Sequence, residues 1–203
     1  MNLQDCILTR RSVRKFTQQP VQHETLAQIV SLAAFAPSWN NTQVSRYLVI
    51  EDRDELDKIA QIYAPENAEI LQSCPILIAQ TFIKGRSGFE HDGSFATDRA
   101  AGWQYYDCGL AAQTFCLAAH DLGLGTVVMG QFDRKGLEHY LEIPKNQELM
   151  ALIALGYPDE HPSAPRRQDV QSLLSYAEKR VNVRAKDGIN LFIPSGKTTE
   201  IFP

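Results

Sequence analysis

The sequence lacks the short motifs that mark several common enzyme classes. Its four cysteines form no C-x-x-C pair and its five histidines form no H-x-x-x-H pair, which argues against a redox dithiol and a zinc site. No serine stands in a G-x-S-x-G motif, so a nucleophile-elbow hydrolase is not indicated. The acidic segment around His91 matches no ligand spacing, and we interpret it as a solvated loop. We therefore expect no bound metal.

Long apolar runs and a strong charge of one sign are also missing. The longest apolar stretches, near residues 74–79 and 149–155, are far shorter than the roughly 18 residues that a membrane helix needs. The first 16 residues carry no apolar run behind their charges, so we expect no secretory signal. The net charge of −4 argues against a protein that binds nucleic acid through its overall charge. These features favour a soluble cytoplasmic protein that binds neither nucleic acid nor membranes.

The residues that are present predict a folded α+β domain. Hydrophobic residues make up 44% and charged residues 22% of the 203 residues, which is ordinary for one globular domain. Helices and strands intermingle without a steady β-α repeat, which favours α+β over a doubly wound sheet. The patterns predict strands at residues 46–51, 75–82, 126–130 and 148–156, helices at 23–36, 54–64, 97–122, 133–141 and 169–180, and an extended tail at 181–203 with an apolar patch at 191–194.

The predicted helix at residues 97–122 is the most informative of these elements. Residues 108–119 carry no charge on any face across three turns, and a helix that is apolar all round is typically buried all round. Small residues such as Gly109 and Ala112 would let a neighbouring helix approach closely. We expect this helix to be either the central spine of the domain or a contact between subunits.

Two clusters of cations are candidates for binding an anion. Because a guanidinium presents a rigid fork of donors, two or more arginines together are typical of a phosphate site. A solvated basic face is the alternative interpretation. The clusters consist of Arg10, Arg11, Ser12, Arg14 and Lys15 near the start of the sequence, and of Arg166 and Arg167 after a proline-rich stretch.

Two loops add further candidate donors. Residues 37–43 read Pro-Ser-Trp-Asn-Asn-Thr-Gln, which is either a ligand-binding loop or a polar turn. Gly130 ends a predicted strand, at a junction where exposed backbone N–H groups can donate to a ligand. The glycines at 123 and 125 end a helix and precede a strand, which is the reverse of the dinucleotide fingerprint. No permanent nicotinamide site is therefore predicted.

Six segments, taken in order, resemble the FMN-dependent nitroreductase family. They are the Arg-Arg-Ser-Val-Arg-Lys-Phe start at 10–16, the loop at 36–43, the helix segments at 107–113 and 119–126, the strand exit at 129–133, and the strand into Gly-Tyr-Pro at 156–158 that leads on to 166–167. The resemblance implies an α+β fold with a central mixed or antiparallel sheet, flanked by helices, in an intertwined homodimer. It implies an FMN-binding domain at residues 1–175 and a C-terminal extension at 176–203 that packs on the partner subunit.

The resemblance also implies a role for each candidate residue at two FMN sites between the subunits. The phosphate and ribityl end would be held by Arg10, Arg11, Ser12, Arg166 and Arg167. The flavin ring would be met by Arg14, which tunes its potential from the pyrimidine edge, by Asn67, by the backbone N–H of Gly130 at N5, and by Gln131. The opposite subunit would supply Pro37, Ser38, Trp39 and Asn41, with Gln43 supporting that loop.

Two positions depart from the family pattern. Ile70 stands where a cation is common, so Arg14 is expected to act alone at the pyrimidine edge. Trp39 stands where a small residue is common, so we expect a reshaped cavity over the flavin.

The activity that the resemblance implies is the reduction of nitroaromatic, quinone or similar acceptors by NADH or NADPH through FMN, in ping-pong order. No titratable side chain stands out as a catalytic acid or base. The alternatives are a non-catalytic protein that binds FMN or another phosphorylated ligand, and a family member specialised for dehalogenation or flavin breakdown.

Overall fold

The computed structural model describes residues 1–177, 180–184 and 190–194, the last two segments by their backbone. The chain divides into two units, Met1–Ala164 and Pro165–Pro203. The first unit carries the central sheet and most of the candidate residues. The predicted domain boundary near residue 175 stays a prediction.

Four antiparallel strands form the sheet of the first unit. They are β1 (Ser45–Ile50), β2 (Ile76–Ile83), β3 (Gly125–Met129) and β4 (Gln147–Gly156), in the order β1-β2-β4-β3. Each begins and ends within one or two residues of its predicted bounds. The central strand β2 is buried along almost its whole length, because both faces of the sheet are covered. The predicted α+β class with an antiparallel sheet is confirmed.

Helices pack on both faces of this sheet. They are α1 (Leu3–Thr9), α2 (His23–Ala33), α3 (Arg53–Lys58), α4 (Ala68–Ser73), α5 (Gly102–Asp121) and α6 (Arg134–Tyr140). Side chains alternate along each strand, so that Leu77 and Leu152 enter a core with α3 and α4 while Ile78 and Ile153 enter a core with α2 and α5. A π-helical segment, Ile59–Tyr63, continues α3 to the predicted end of that helix.

The helix α5 begins five residues later than the sequence pattern predicts. Residues 97–101 form turns, and Ala100 adopts a left-handed backbone with φ 49°, which interrupts a helix. Burial all round is also wrong for the single chain. Phe115 and Ala119 are buried, but Tyr106 is 60% exposed and Gly109 and Gln113 are exposed as well. The interpretation of α5 as the central spine of the domain therefore holds for one face of the helix. The opposite face is exposed in the single chain.

The second unit contains one short helix and a hairpin. The helix α7 (Val170–Leu173) covers four residues of the predicted helix at 169–180, which is therefore mostly wrong. Asp169 caps its start, but Val170 and Leu173 are exposed, and a short helix without a packed face is rarely stable. The antiparallel strands β5 (Arg180–Arg184) and β6 (Asn190–Pro194) agree with an extended tail, and its remaining predicted residues lie outside the described segments.

No helix in the described part of the chain combines the length and the apolar character needed to cross a membrane.

Candidate functional site

The arginine-rich segment, residues 10–15, contacts β3, the strand at one edge of the sheet. Ser12 forms a parallel bridge with Thr126, and the N–H of Val13 donates to the carbonyl of Thr126 at 3.0 Å. A side chain at Gly125 would lie 2.8 Å from the Val13 side chain, so this close approach requires glycine there. The contact places Arg10 and Arg14 beside the strand that leads to Gly130.

The arginines of this segment have different roles. The Nη1 of Arg11 donates to the carbonyls of Leu8 and Arg10, both at 2.8 Å, and so caps the C-terminal end of α1. The Nε of Arg11 is buried without a partner in the described part of the protein. Arg14 is exposed, and its backbone N–H donates to Glu160 at 2.5 Å, which fixes the backbone but leaves most of the guanidinium accessible.

A cavity of about 420 Å³ lies next to this segment and is lined by Thr9, Arg11, Val13, His120 and Glu160, among others. The Oγ1 of Thr9 lies 2.8 Å from the Nε2 of His120. Burial and then the charges of Arg10 and Arg11 lower the pKa of His120. The charges of Arg10 and Arg11 thus act at this cavity, where a phosphate group would offset them, and Glu160 lines the same cavity. Sequence reasoning missed His120, whose place in the last turn of a helix before a glycine was the available signal.

The far end of β3 collects a second set of candidates. The Nδ2 of Asn67 donates to the carbonyl of Gln131 at 2.7 Å, although 64 residues separate them. Gly130, between Gln131 and the end of β3, is exposed, and the space where a side chain would stand is open. The side-chain amide of Asn67 and the exposed residue Gly130 therefore lie at the same end of β3. Ile70 packs against the core and offers no polar group there.

The polar loop at residues 37–43 is held by its own side chains. The N–H of Gln43 donates to the Oγ of Ser38, and the Nε2 of Gln43 donates to the Oδ1 of Asn41, both at 3.0 Å. The N–H of Trp39 donates to the carboxylate of Asp107 on α5. Sequence reasoning missed Asp107, because a carboxylate in a helix gives no sign of its burial.

The two groups of candidates lie at opposite edges of the sheet. The polar loop leads into β1, whereas the arginine-rich segment pairs with β3, and β2 and β4 stand between them. Three strand spacings amount to about 14 Å. The cavity beside the loop, about 390 Å³, is lined by Pro37, Ser38 and Gln43 but by none of the arginines at 10, 11 and 14. A single chain does not bring the two groups together.

Arg166 and Arg167 lie in the second unit, in an exposed irregular stretch ahead of α7. Their predicted role at a phosphate stays a prediction. Within the described residues, no group of three or more histidine, cysteine, aspartate or glutamate side chains is placed to hold a metal ion.

The donors along β3 fit FMN. Cations and the hydroxyl of Ser12 lie at one end of the strand, as a phosphate requires. About four residues further along, the amide of Asn67 and the exposed N–H of Gly130 suit the edge of a flat heterocycle. The partnerless Nε of Arg11 is a further donor on the phosphate side.

Comparisons with known proteins agree with this geometry. The model of the nitroreductase family matches residues 7–157. A protein of Methanothermobacter thermautotrophicus, provisionally named an NADH dehydrogenase/NAD(P)H nitroreductase, is 31% identical over 166 residues, which are 80% of each chain. The FMN reductase [NAD(P)H] of Bacillus subtilis is 27% identical over 85% of this chain and 72% of its own.

Solved structures share the fold. A structure from Desulfovibrio desulfuricans, provisionally named a nitroreductase and solved in complex with FMN, superposes with a TM-score of 0.72 at 26% identity, over 88% of this chain and 99% of that one. Together with the family match over residues 7–157, this establishes that the chain belongs to the nitroreductase family.

Proposed function

We propose that this protein is an FMN-dependent oxidoreductase that reduces nitroaromatic, quinone or similar acceptors with NADH or NADPH in ping-pong order. The observation that carries the proposal is the row of donors along β3, from the arginine-rich segment at one end to Asn67 and Gly130 at the other. The FMN reductase of Bacillus subtilis and the FMN complex from Desulfovibrio desulfuricans support this choice of cofactor. We place the enzyme in the cytoplasm.

The residues of one chain would hold most of the cofactor. Arg10 and Ser12 would bind the phosphate of FMN. Asn67 would donate to or accept from the pyrimidine ring, and the N–H of Gly130 would meet N5. Bound FMN supplies the redox chemistry, since it accepts electrons from the nicotinamide and passes them to the second substrate. The protein orients the ring and excludes water around it.

The remaining contacts would come from a second copy of the chain. The polar loop at 37–43 lies at the opposite sheet edge from the arginines, so the loop of one subunit is free to cover the ring held by another. The exposed face of α5, with Tyr106, Gly109 and Gln113, carries no charge and is available for the contact between subunits. We therefore propose a homodimer with two composite sites.

Arg14 is proposed to tune the potential of the cofactor. A cation beside the pyrimidine edge favours the reduced form, because that form carries more negative charge, and Ile70 supplies no second cation. We expect Arg14→Gln to lower the two-electron potential by about 30 mV, which corresponds to about 1.4 kcal/mol. A dye-equilibration titration measures the shift. An unchanged potential in a folded, FMN-loaded variant would leave Arg14 without a redox role.

The activity itself is tested by spectroscopy under anaerobic conditions. Purified protein should show the absorption of bound FMN, and addition of NADH or NADPH should bleach it. Subsequent addition of a quinone should restore the absorption without release of the cofactor. Protein that binds FMN but stays yellow with both nicotinamides would support a non-catalytic FMN-binding protein instead.

A further inference from the structure

One buried carboxylate on α5 joins two loops that are distant in sequence. Asp107 is only 3% exposed, and both of its oxygens accept from the N–H of Trp39, at 3.1 and 3.2 Å. Its Oδ2 also accepts from the hydroxyl of Ser87, which is fully buried, at 2.6 Å. A buried carboxylate is tolerated only where such donors satisfy it. Asp107 is therefore a fixed anchor for residues 37–43 and for the loop that contains Ser87.

The backbone next to this anchor is strained. Asn40, Asn41 and Gln43 have φ values of 44°, 54° and 48°, a left-handed conformation that asparagine tolerates but glutamine rarely adopts. Three such residues within four positions persist only where surrounding contacts over-determine the conformation. The bond from Trp39 to Asp107 holds one end of this segment. The bond from Gln43 to Ser38 closes the other.

The same helix also fixes the indole ring of Trp39. The ring centroid lies 4.7 Å from that of Trp103, which precedes Asp107 by four residues and so shares its helix face. The Nε1 of Trp103 donates to Thr97 at 2.9 Å, and its ring also contacts Tyr106 edge-on. Asp107 thus holds the backbone of Trp39 while Trp103 holds its ring.

The two anchored loops enclose a cavity of about 440 Å³. One wall consists of Trp39 and the three residues after it. The other consists of Gly85, Arg86, Phe89, Glu90 and His91, so polar side chains line the cavity beside the aromatic rings. The second wall is tied to α5 by Ser87 and by the N–H of Gly85, which donates to the buried Gln104 at 2.6 Å. Because one carboxylate binds a residue from each loop, it sets the separation of the walls.

We propose that the cavity of about 440 Å³ admits the aromatic acceptor, and that Asp107 is a positioning residue that keeps Trp39 as a rigid wall of this cavity and so limits the size of the acceptor. The inference rests on the proposed function, since it requires the loop at 37–43 to cover the flavin ring. In this proposal Asp107 acts through the backbone of Trp39 and not by its own contact with the acceptor.

A double-mutant cycle tests this role with the FMN-loaded enzyme. The readout is the ratio of kcat/KM for menadione, which has two fused rings, to that for 1,4-benzoquinone, which has one. We expect Asp107→Ala and Trp39→Ala each to raise the ratio about fivefold. The double variant should show no further increase, because both changes remove the same wall. Asp107→Asn keeps one acceptor for the Trp39 N–H and should lie close to wild type.

Hydrogen exchange provides a readout that does not depend on turnover. Asp107→Ala should accelerate amide exchange about tenfold in peptides covering residues 37–43 and 85–91, and not in β2 or β4. Asp121→Asn, at the exposed end of the same helix, is the matched control. If Asp107→Ala does not fold, Trp103→Leu removes the ring contact with Trp39 and the bond to Thr97 but leaves Asp107 in place, and it should still raise the menadione ratio.

The outcomes distinguish a failure of the role of Asp107 from a failure of the proposed function. An unchanged ratio in Asp107→Ala and Trp103→Leu, or additive effects in the double variant, would overturn the specificity role of Asp107. Unchanged exchange in the two loops would overturn its role as an anchor. A wild-type enzyme that reduces neither the two quinones nor a nitroaromatic acceptor would overturn the proposed function, and with it the specificity role, whatever the exchange shows.

Discussion

Replacing Arg10 with alanine is expected to weaken FMN binding by about 10- to 100-fold and riboflavin binding by much less. The difference arises because riboflavin lacks the phosphate, and a charge-assisted contact to phosphate contributes about 1.5–3 kcal/mol. Arg10 is half-buried, and its charge contributes to lowering the pKa of His120. Fluorescence titration of the cofactor-free protein with both flavins gives the two dissociation constants.

The matched control for this prediction is Lys15→Ala. Lys15 belongs to the same basic segment, but it is exposed, and its backbone carbonyl, not its side chain, accepts from Asp159. Its removal should change neither affinity by more than about twofold, since exposed charges are largely screened. Equal losses of FMN and riboflavin in Arg10→Ala would show that Arg10 does not bind the phosphate.

Introducing a charge on the exposed face of α5 is expected to give a folded monomer without FMN. Gly109 is exposed, and no atom lies within 4 Å of where a side chain would stand, so Gly109→Glu fits the single chain. In a helix interior glutamate is even favoured over glycine by about 0.5–1 kcal/mol. Between two subunits, the same carboxylate would be buried without a partner at a cost of several kcal/mol.

Sedimentation velocity and FMN content measure the effect of Gly109→Glu, and circular dichroism verifies the fold. Lys135→Glu, an exposed charge change on α6, is the control and should remain dimeric with FMN bound. A Gly109→Glu protein that sediments as a dimer and retains FMN would place the subunit contact elsewhere.

Much of the fold could be predicted because the sequence pattern reflects burial within one chain. The apolar runs of β2 and β4 reflect burial against the two faces of the sheet, so the bounds of these strands could be predicted. The start of α5 at Gly102 could not be predicted, because the sequence does not reveal the left-handed backbone at Ala100. The pattern at 169–180 failed because periodicity needs a surface to pack on, and Val170 and Leu173 are exposed.

The candidate site shows the same division. Residue types suited to phosphate, such as Arg10, could be recognised from chemistry and from the family resemblance. The contact from Asn67 to Gln131 could not, because it depends on how two distant segments pack. Asp107 is the clearest case, since an aspartate within a helix reads as a surface residue until its two loops fold over it.

The central claim is that each FMN site combines the arginine-rich segment of one subunit with the polar loop of the other. Two variants that each lose FMN, Arg10→Ala with Arg14→Gln in one chain and Ser38→Ala with Asn41→Ala in another, can be produced together with different affinity tags. The purified mixed dimer has one site with all four defects and one with none, so the account predicts about one tightly bound FMN per mixed dimer. A mixed dimer that binds no FMN would contradict it, because sites formed within single chains would both remain defective.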